Sequence, residues 1–144
     1  MDTDHLGMTV LDTSDCLELL RGEAVGRLAV SIRDQPDIFP INHIVDHGTI
    51  VFRTAEGTKL AASVLGRGVA FEVDGYDAEA GEAWSVVVHG RAVEIERLEE
   101  ILQALDLPLF PWQAAPKHRF VRIEPFEITG RRFHVVDKSH WTDG

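Results

Sequence analysis

The sequence predicts a mainly β protein: an antiparallel sheet closed into a β-barrel, with two or three short helices set between the strands. Three observations carry this. About seven segments show the alternation or the β-branched runs of strands. They follow one another through short turns, whereas a doubly wound parallel sheet would need a helix after nearly every strand. The chain has 144 residues, 44% hydrophobic and 26% charged, the size and composition of one domain with a real core. Closure then follows because a barrel leaves no exposed edges.

The elements are read in order. Residues 1–13 show weak pattern and read as a lead-in tail, as do 137–144, so 1–144 is expected to be a single domain. Ser14 or Asp15 can cap a helix over 15–21, with Gly22 placed to end it. Leu17 and Leu20 give that helix an apolar edge, which leaves Cys16 at its start and partly packed. A strand is expected over 24–32, a turn over Asp34-Gln35-Pro36-Asp37, and a strand over 38–45. Asp46-His47-Gly48 reads as a tight hairpin leading into a strand over 49–54. A short helix is expected over 57–66, and a strand over 69–74. A polar loop over 75–83 precedes a long strand over 84–95. Helical spacing returns over 98–105. Pro108, Pro111 and Pro116 then enforce a loop. Two closing strands, 119–124 and 126–136, end the domain.

Charge narrows the function. Asp and Glu number 24 against 14 Lys and Arg, a net charge of −10. Such a surface repels nucleic acid and anionic membrane, so neither is expected as a partner. A local basic pocket would instead suit a small anionic molecule. No window approaches the ~20 apolar residues of a membrane span, and the acidic start lacks a secretory pattern. Together with the lone Cys16, this makes the cytoplasm the expected compartment. The seven histidines are scattered; His43 and His47 are four apart but on a strand entering a turn, so no metal is expected.

Three stretches carry candidate chemistry. In Phe52-Arg53-Thr54-Ala55-Glu56-Gly57-Thr58-Lys59 a strand ends, a turn follows and a helix begins. Arg53 offers a planar fork for phosphate, Lys59 a compact charge, and Thr54 and Thr58 two hydroxyls. The same residues suit a helix capped by Thr58 with Arg53 paired to Glu56, and both readings stand. Pro40-Ile41-Asn42-His43 is expected on the strand beside the Arg53 strand. Proline lacks a donor, so that strand is an edge or is bulged, and Asn42 can read a planar heterocycle or stabilise a turn. Trp84 and Ser85 open a strand after the loop, and Phe110-Pro111-Trp112 adds aromatics; both suit packing or a pocket wall.

Six runs, in order, resemble the pyridoxamine 5'-phosphate oxidase-like family, which has the flavin-binding split-barrel fold. They are Val25 to Ala29, Pro40-Ile41-Asn42, Phe52-Arg53-Thr54 with Gly57 to Leu60, Val69 to Asp74, Trp84 to Val88 and Ile128 to Arg132. The resemblance implies a Greek-key-like split barrel working as a homodimer, with FMN in the groove between subunits. It implies that Arg53, Thr54, Thr58 and Lys59 hold the flavin phosphate. It places Pro40, Ile41 and Asn42 along the ring, Trp84 and Ser85 near the pocket, and Trp112 against the partner's flavin. It further implies an oxidoreductase moving hydride or electrons to or from a small molecule. His43 stands where relatives often have tyrosine, Ala83 where many have glycine, and His89 where many have arginine. His43, expected at the groove edge, is a candidate catalytic group. Relatives with a deazaflavin would call on Arg67 or Lys117, and those with haem on His43, His89 or His118. A non-catalytic flavin-binding or storage module is the alternative of a different class.

Overall fold

The computed structural model of this chain describes residues 2–3, 8–54, 58–96 and 119–135. Within them lie β1 (Asp2–Thr3), β2 (Met8–Leu11), α1 (Thr13–Arg21), β3 (Val25–Ile32), β4 (Gln35–Asn42) and β5 (Ile44–Asp46). They are followed by β6 (Thr49–Thr54), α2 (Lys59–Val64), β7 (Gly68–Asp77), β8 (Glu82–Glu94) and β9 (Arg119–His134). Every pairing is antiparallel. The sheet runs β1-β2-β9-β8-β7-β3-β4, and β9 also pairs β6, which pairs β5. It curls around one core, and β4 forms no ladder with β5 or β6, which leaves the barrel split along that line.

Local chemistry explains most of the elements. Asp12, not Ser14 or Asp15, caps α1: its backbone is extended and its carboxylate accepts the Asp15 N–H at 2.8 Å. Gly22 ends the helix as expected, donating to the carbonyls of Glu18 and Leu19. Arg33 and Asp34 both take positive φ, 52° and 62°, and close a two-residue turn between β3 and β4. The pairs Ile32↔Gln35 and Ser31↔Pro36 therefore draw Gln35 to Asp37, expected to be turn, into the strand. His47 and Gly48, at 51° and 77°, make the same turn between β5 and β6.

Several sequence expectations need correction. The 1–13 tail contains β2, which pairs with β9 through Val10↔Arg131 and Leu11↔Gly130. The expected 38–45 strand breaks at His43, where the chain leaves β4 and joins β6 as β5. As a result Pro40 pairs with Arg27 on β3, not with the Arg53 strand. The loop over 75–83 shrinks, because β7 and β8 stay paired out to Asp77↔Glu82. The two closing strands are one: β9 runs through Pro125, where a bulge shifts the register between His89 and Gly90. Pro125 lacks an N–H, and the bulge absorbs the missing ladder bond. Cys16 is fully buried rather than partly packed. The expected helix over 98–105 and the proline-rich loop lie outside the described residues.

The core takes alternate side chains from β3, β6, β7, β8 and β9. Leu28, Val30, Phe71, Val73, Val86, Val88, Ile50, Phe52 and Ile123 face inward, joined by Ile41 of β4, Leu20 of α1 and Val64 of α2. A smaller cluster, Val51, Ile95 and Phe120, covers the opposite face of β6 and β9. Among the described residues, no helix is long and apolar enough to cross a membrane.

Candidate functional site

The Arg53–Lys59 stretch sits where β6 gives way to α2. Strand alternation divides its residues. Thr54 is 1% exposed and shares the inward side of Phe52, whereas Arg53 lies on the other face with its guanidinium 5.1 Å over the Phe120 ring. Thr58 is the N-cap of α2: its backbone is extended and its hydroxyl accepts the Ala61 N–H at 3.2 Å. The hydroxyls of Thr54 and Thr58 are 3.2 Å apart, so the strand end and the helix start are joined. Cap and hydroxyl pair thus coexist on the same two threonines. Glu56, the expected partner of Arg53, lies outside the described residues.

Lys59, the first residue of α2, is 77% exposed and its ammonium meets Asp37 Oδ2 at 2.8 Å. Asp37 is on β4, and its other oxygen accepts the Ile38 N–H at 2.9 Å. The hydrogen bond from Lys59 is the largest influence on the Asp37 carboxyl and holds it below the usual carboxylate range; the Ile38 N–H adds to this. Sequence reading missed Asp37, because an acid in a turn-like Asp-Gln-Pro-Asp run carries no periodic signal. The contact ties α2 to the strand that bears Pro40, Ile41 and Asn42.

Those three residues divide as well. Ile41 is buried in the core, opposite Gly26, so it can offer only its backbone outward. Pro40 is exposed on the outer face beside Arg27, and β4 is the edge strand that a proline needs. Asn42 closes the strand opposite Val25, and its Oδ1 is buried with no hydrogen-bond partner. A buried acceptor left unmet is costly, and it marks a place for an N–H donor.

His43 is not at an exposed groove edge. It is 7% exposed, donates from Nε2 to the Leu20 carbonyl at 2.9 Å, and stands edge-on to Phe71 with ring centroids 4.8 Å apart. Its own N–H donates to the Ala24 carbonyl at 3.1 Å. Nδ1 has no partner. Burial pushes the imidazole below its ordinary pKa, against the two backbone hydrogen bonds. It is a neutral pin between α1 and the β4–β5 corner, and with Leu20, Gly22, Ala24 and Val45 it lines a pocket of about 470 Å³.

Trp84 and Ser85 lie in the β7–β8–β9 sheet, opposite Gly75 and Asp74 on one side and Arg132 and Arg131 on the other. The indole of Trp84 lies flat against Gly75, where a Cβ would come within 2.6 Å of it, and packs on the core. Ser85 is on the outer face with Asp74. Trp112 lies outside the described residues.

That outer face, spread over β4, β3, β7, β8 and β9, is the other notable surface. Ile38 and Phe126 stand out from it at 62% and 69% exposure. Between them Ala29, Ser31, Pro36, Gly68, Ala70 and His89 line a shallow groove of about 420 Å³. Its charges alternate: Arg27 bridges Glu72 at 3.0 Å and Asp74 at 2.9 Å, and His89 lies 3.7 Å from Glu127.

A split antiparallel barrel with a threonine-capped turn at one end and a proline-bearing edge strand beside it is the class of scaffold seen here. The chain belongs to the pyridoxamine 5'-phosphate oxidase family, whose profile matches residues 12–132. A candidate pyridoxamine 5'-phosphate oxidase of Corynebacterium glutamicum is 41% identical, with a TM-score of 0.79 over 95% of this chain and 99% of that one. An FAD-binding protein of Mycobacterium smegmatis is 37% identical, also at 0.79, over 88% of this chain and 98% of that one. The uncharacterized protein Rv0080 of Mycobacterium tuberculosis is 34% identical over 127 residues, 85% of this chain and 83% of its own length. A haem-binding protein of Mycobacterium smegmatis, 13% identical with a TM-score of 0.66 over 81% of this chain and 52% of that one, shares the fold alone.

Proposed function

We propose that this chain is a flavin-dependent oxidoreductase that binds FMN between two copies of itself and passes hydride or electrons to or from a small molecule. The observation that carries the reading is Asn42. Among the described residues its buried Oδ1 has no partner, and a flavin ring presents N–H at its pyrimidine edge. The Asp37–Lys59 contact links that strand to the segment that would hold the phosphate. Thr58 supplies a hydroxyl there, backed by the buried Thr54, Lys59 a mostly exposed ammonium, and Arg53 a fork steadied on Phe120.

Bound there, the flavin supplies the redox chemistry. The protein's part is to hold the phosphate, orient the ring against β4 through Asn42 and the Ile41 backbone, and keep water from one face. No acid–base dyad is required of the chain for this. A second reading, FAD in place of FMN, is favoured by the 37% identical FAD-binding relative. The two flavins share the ring and first phosphate, so the same residues serve both.

We assign the second copy to the outer sheet face. A chain of net charge −10 resists its own approach. On this face Arg27, Arg91 and Arg131 stand among Glu72, Asp74, Glu124 and Glu127, and Ile38 and Phe126 offer apolar area. Trp84 packs on the core within the protomer, and Trp112 lies outside the described residues.

The test is the purified protein's visible spectrum, followed by chromatography of the pigment released on heating. FMN or FAD with steady oxidation of a reduced nicotinamide supports the proposal. Flavin without turnover leaves a binding module, and a protein that stays colourless and takes up no added flavin removes the reading.

A further inference from the structure

We infer that Asp37 is a built-in competitor for the phosphate site: it occupies one donor of the Lys59 ammonium and weakens phosphorylated ligands relative to unphosphorylated ones. The inference rests on Lys59 being a phosphate contact and goes beyond it by naming a residue that sets how strongly the site prefers phosphate.

Lys59 Nζ lies 2.8 Å from Asp37 Oδ2. An ammonium has three donors, so one is committed and two remain. A phosphate oxygen on a remaining donor would sit roughly 4.5 Å from the Asp37 oxygen, since two acceptors on one tetrahedral nitrogen at ordinary distances are about that far apart. A carboxylate and a phosphate dianion at that separation repel. In water at physiological salt the repulsion corresponds to about a fivefold loss of affinity. Asp37 is held in place from its other side by the Ile38 N–H at 2.9 Å, so it does not swing away without giving up that bond. The same hydrogen bonds favour the ionised carboxyl, so the repulsion is present near neutral pH.

Asp37 lies on β4 at the β3–β4 hairpin, two residues inside the edge strand, and its side chain is part exposed. Asparagine there retains an oxygen for the Ile38 N–H and removes the charge. Riboflavin has the ring and lacks the phosphate, so it reports everything about the pocket except this term.

The experiment is a fluorescence titration of the full chain with FMN and with riboflavin, for the native protein, Asp37→Asn and Lys59→Gln. The expected result is that Asp37→Asn binds FMN about three- to tenfold tighter with riboflavin unchanged, the gain shrinking at high salt. Lys59→Gln should lose FMN affinity alone. If Lys59→Gln weakens FMN selectively and Asp37→Asn binds it no tighter, the competitor role is overturned and the phosphate reading stands. If Lys59→Gln weakens neither ligand or both equally, the phosphate reading itself fails and the inference falls with it. Melting curves of both variants establish that each is folded under the titration conditions.

Discussion

Replacing His43 by glutamine should flatten the acid limb of this protein's stability. In the native fold His43 is 7% exposed, donates to the Leu20 carbonyl at 2.9 Å and has no partner at Nδ1. Protonation would place a second N–H, and a charge, where nothing accepts them. Burial accordingly lowers its pKa. The unfolded chain meets no such penalty and protonates near the ordinary ~6.5. The stability due to neutral His43 is therefore complete above that value. It is lost as pH falls from there toward the lowered folded pKa, because only the unfolded state takes up the proton. One such proton is worth about 1 kcal/mol between pH 6.5 and 5.5, approaching 1.4 kcal/mol per further unit while His43 stays neutral. Glutamine can keep the donor to Leu20 and cannot titrate. Urea unfolding of both proteins at half-unit steps from pH 8 to 5.5 reads the difference. The native protein should lose more stability than the variant over the lowest unit, by up to about 1 kcal/mol. Parallel pH profiles would refute the pinned, neutral histidine.

Three more outcomes are expected. Gly90→Ala places a Cβ 2.4 Å from the Glu124 carbonyl oxygen, which is backbone and cannot step aside, so unfolding free energy should fall by about 1–3 kcal/mol; an unchanged denaturation midpoint would contradict the bulge packing. Arg53→Lys should weaken FMN about ten- to a hundredfold with riboflavin spared, since a charge-assisted hydrogen bond is worth about 1.5–3 kcal/mol and an ammonium cannot form the fork; equal weakening of both ligands would take Arg53 off the phosphate. Phe126→Asp should shift the protein toward 16.0 kDa in light scattering at micromolar concentration while its far-ultraviolet dichroism is retained, and an unchanged mass would move the contact elsewhere.

What the sequence made legible was local. Asp46-His47-Gly48 announces its own turn, because two positive φ values there suit glycine and a tolerant neighbour. Thr58 reads as a cap because its hydroxyl serves the amide three residues on. The alternation of Leu28, Val30, Phe71 and Val73 gives the inward face. What stayed hidden depends on partners distant in the chain. Nothing near Val10 says that it will meet Arg131, nor that Pro40 will pair with Arg27 and leave the Arg53 strand to β5 and β9. The two closing strands merge at Pro125 because the compensating bulge needs Gly90 on another strand. At the site, residue types were readable and orientations were not. Ile41 beside Asn42, and Arg53 beside Thr54, point to opposite faces once the strands form. Asp37 becomes relevant only when folding brings β4 to α2.

The central claim is a flavin held by its phosphate between two copies of this chain. Light scattering on a sizing column, with absorbance read at the flavin band, tests it in a single run on protein loaded with FMN. The account predicts a species of about twice 16.0 kDa that carries the flavin absorbance and releases it when Arg53 and Lys59 are both replaced. A species of 16.0 kDa that retains tightly bound flavin would contradict it.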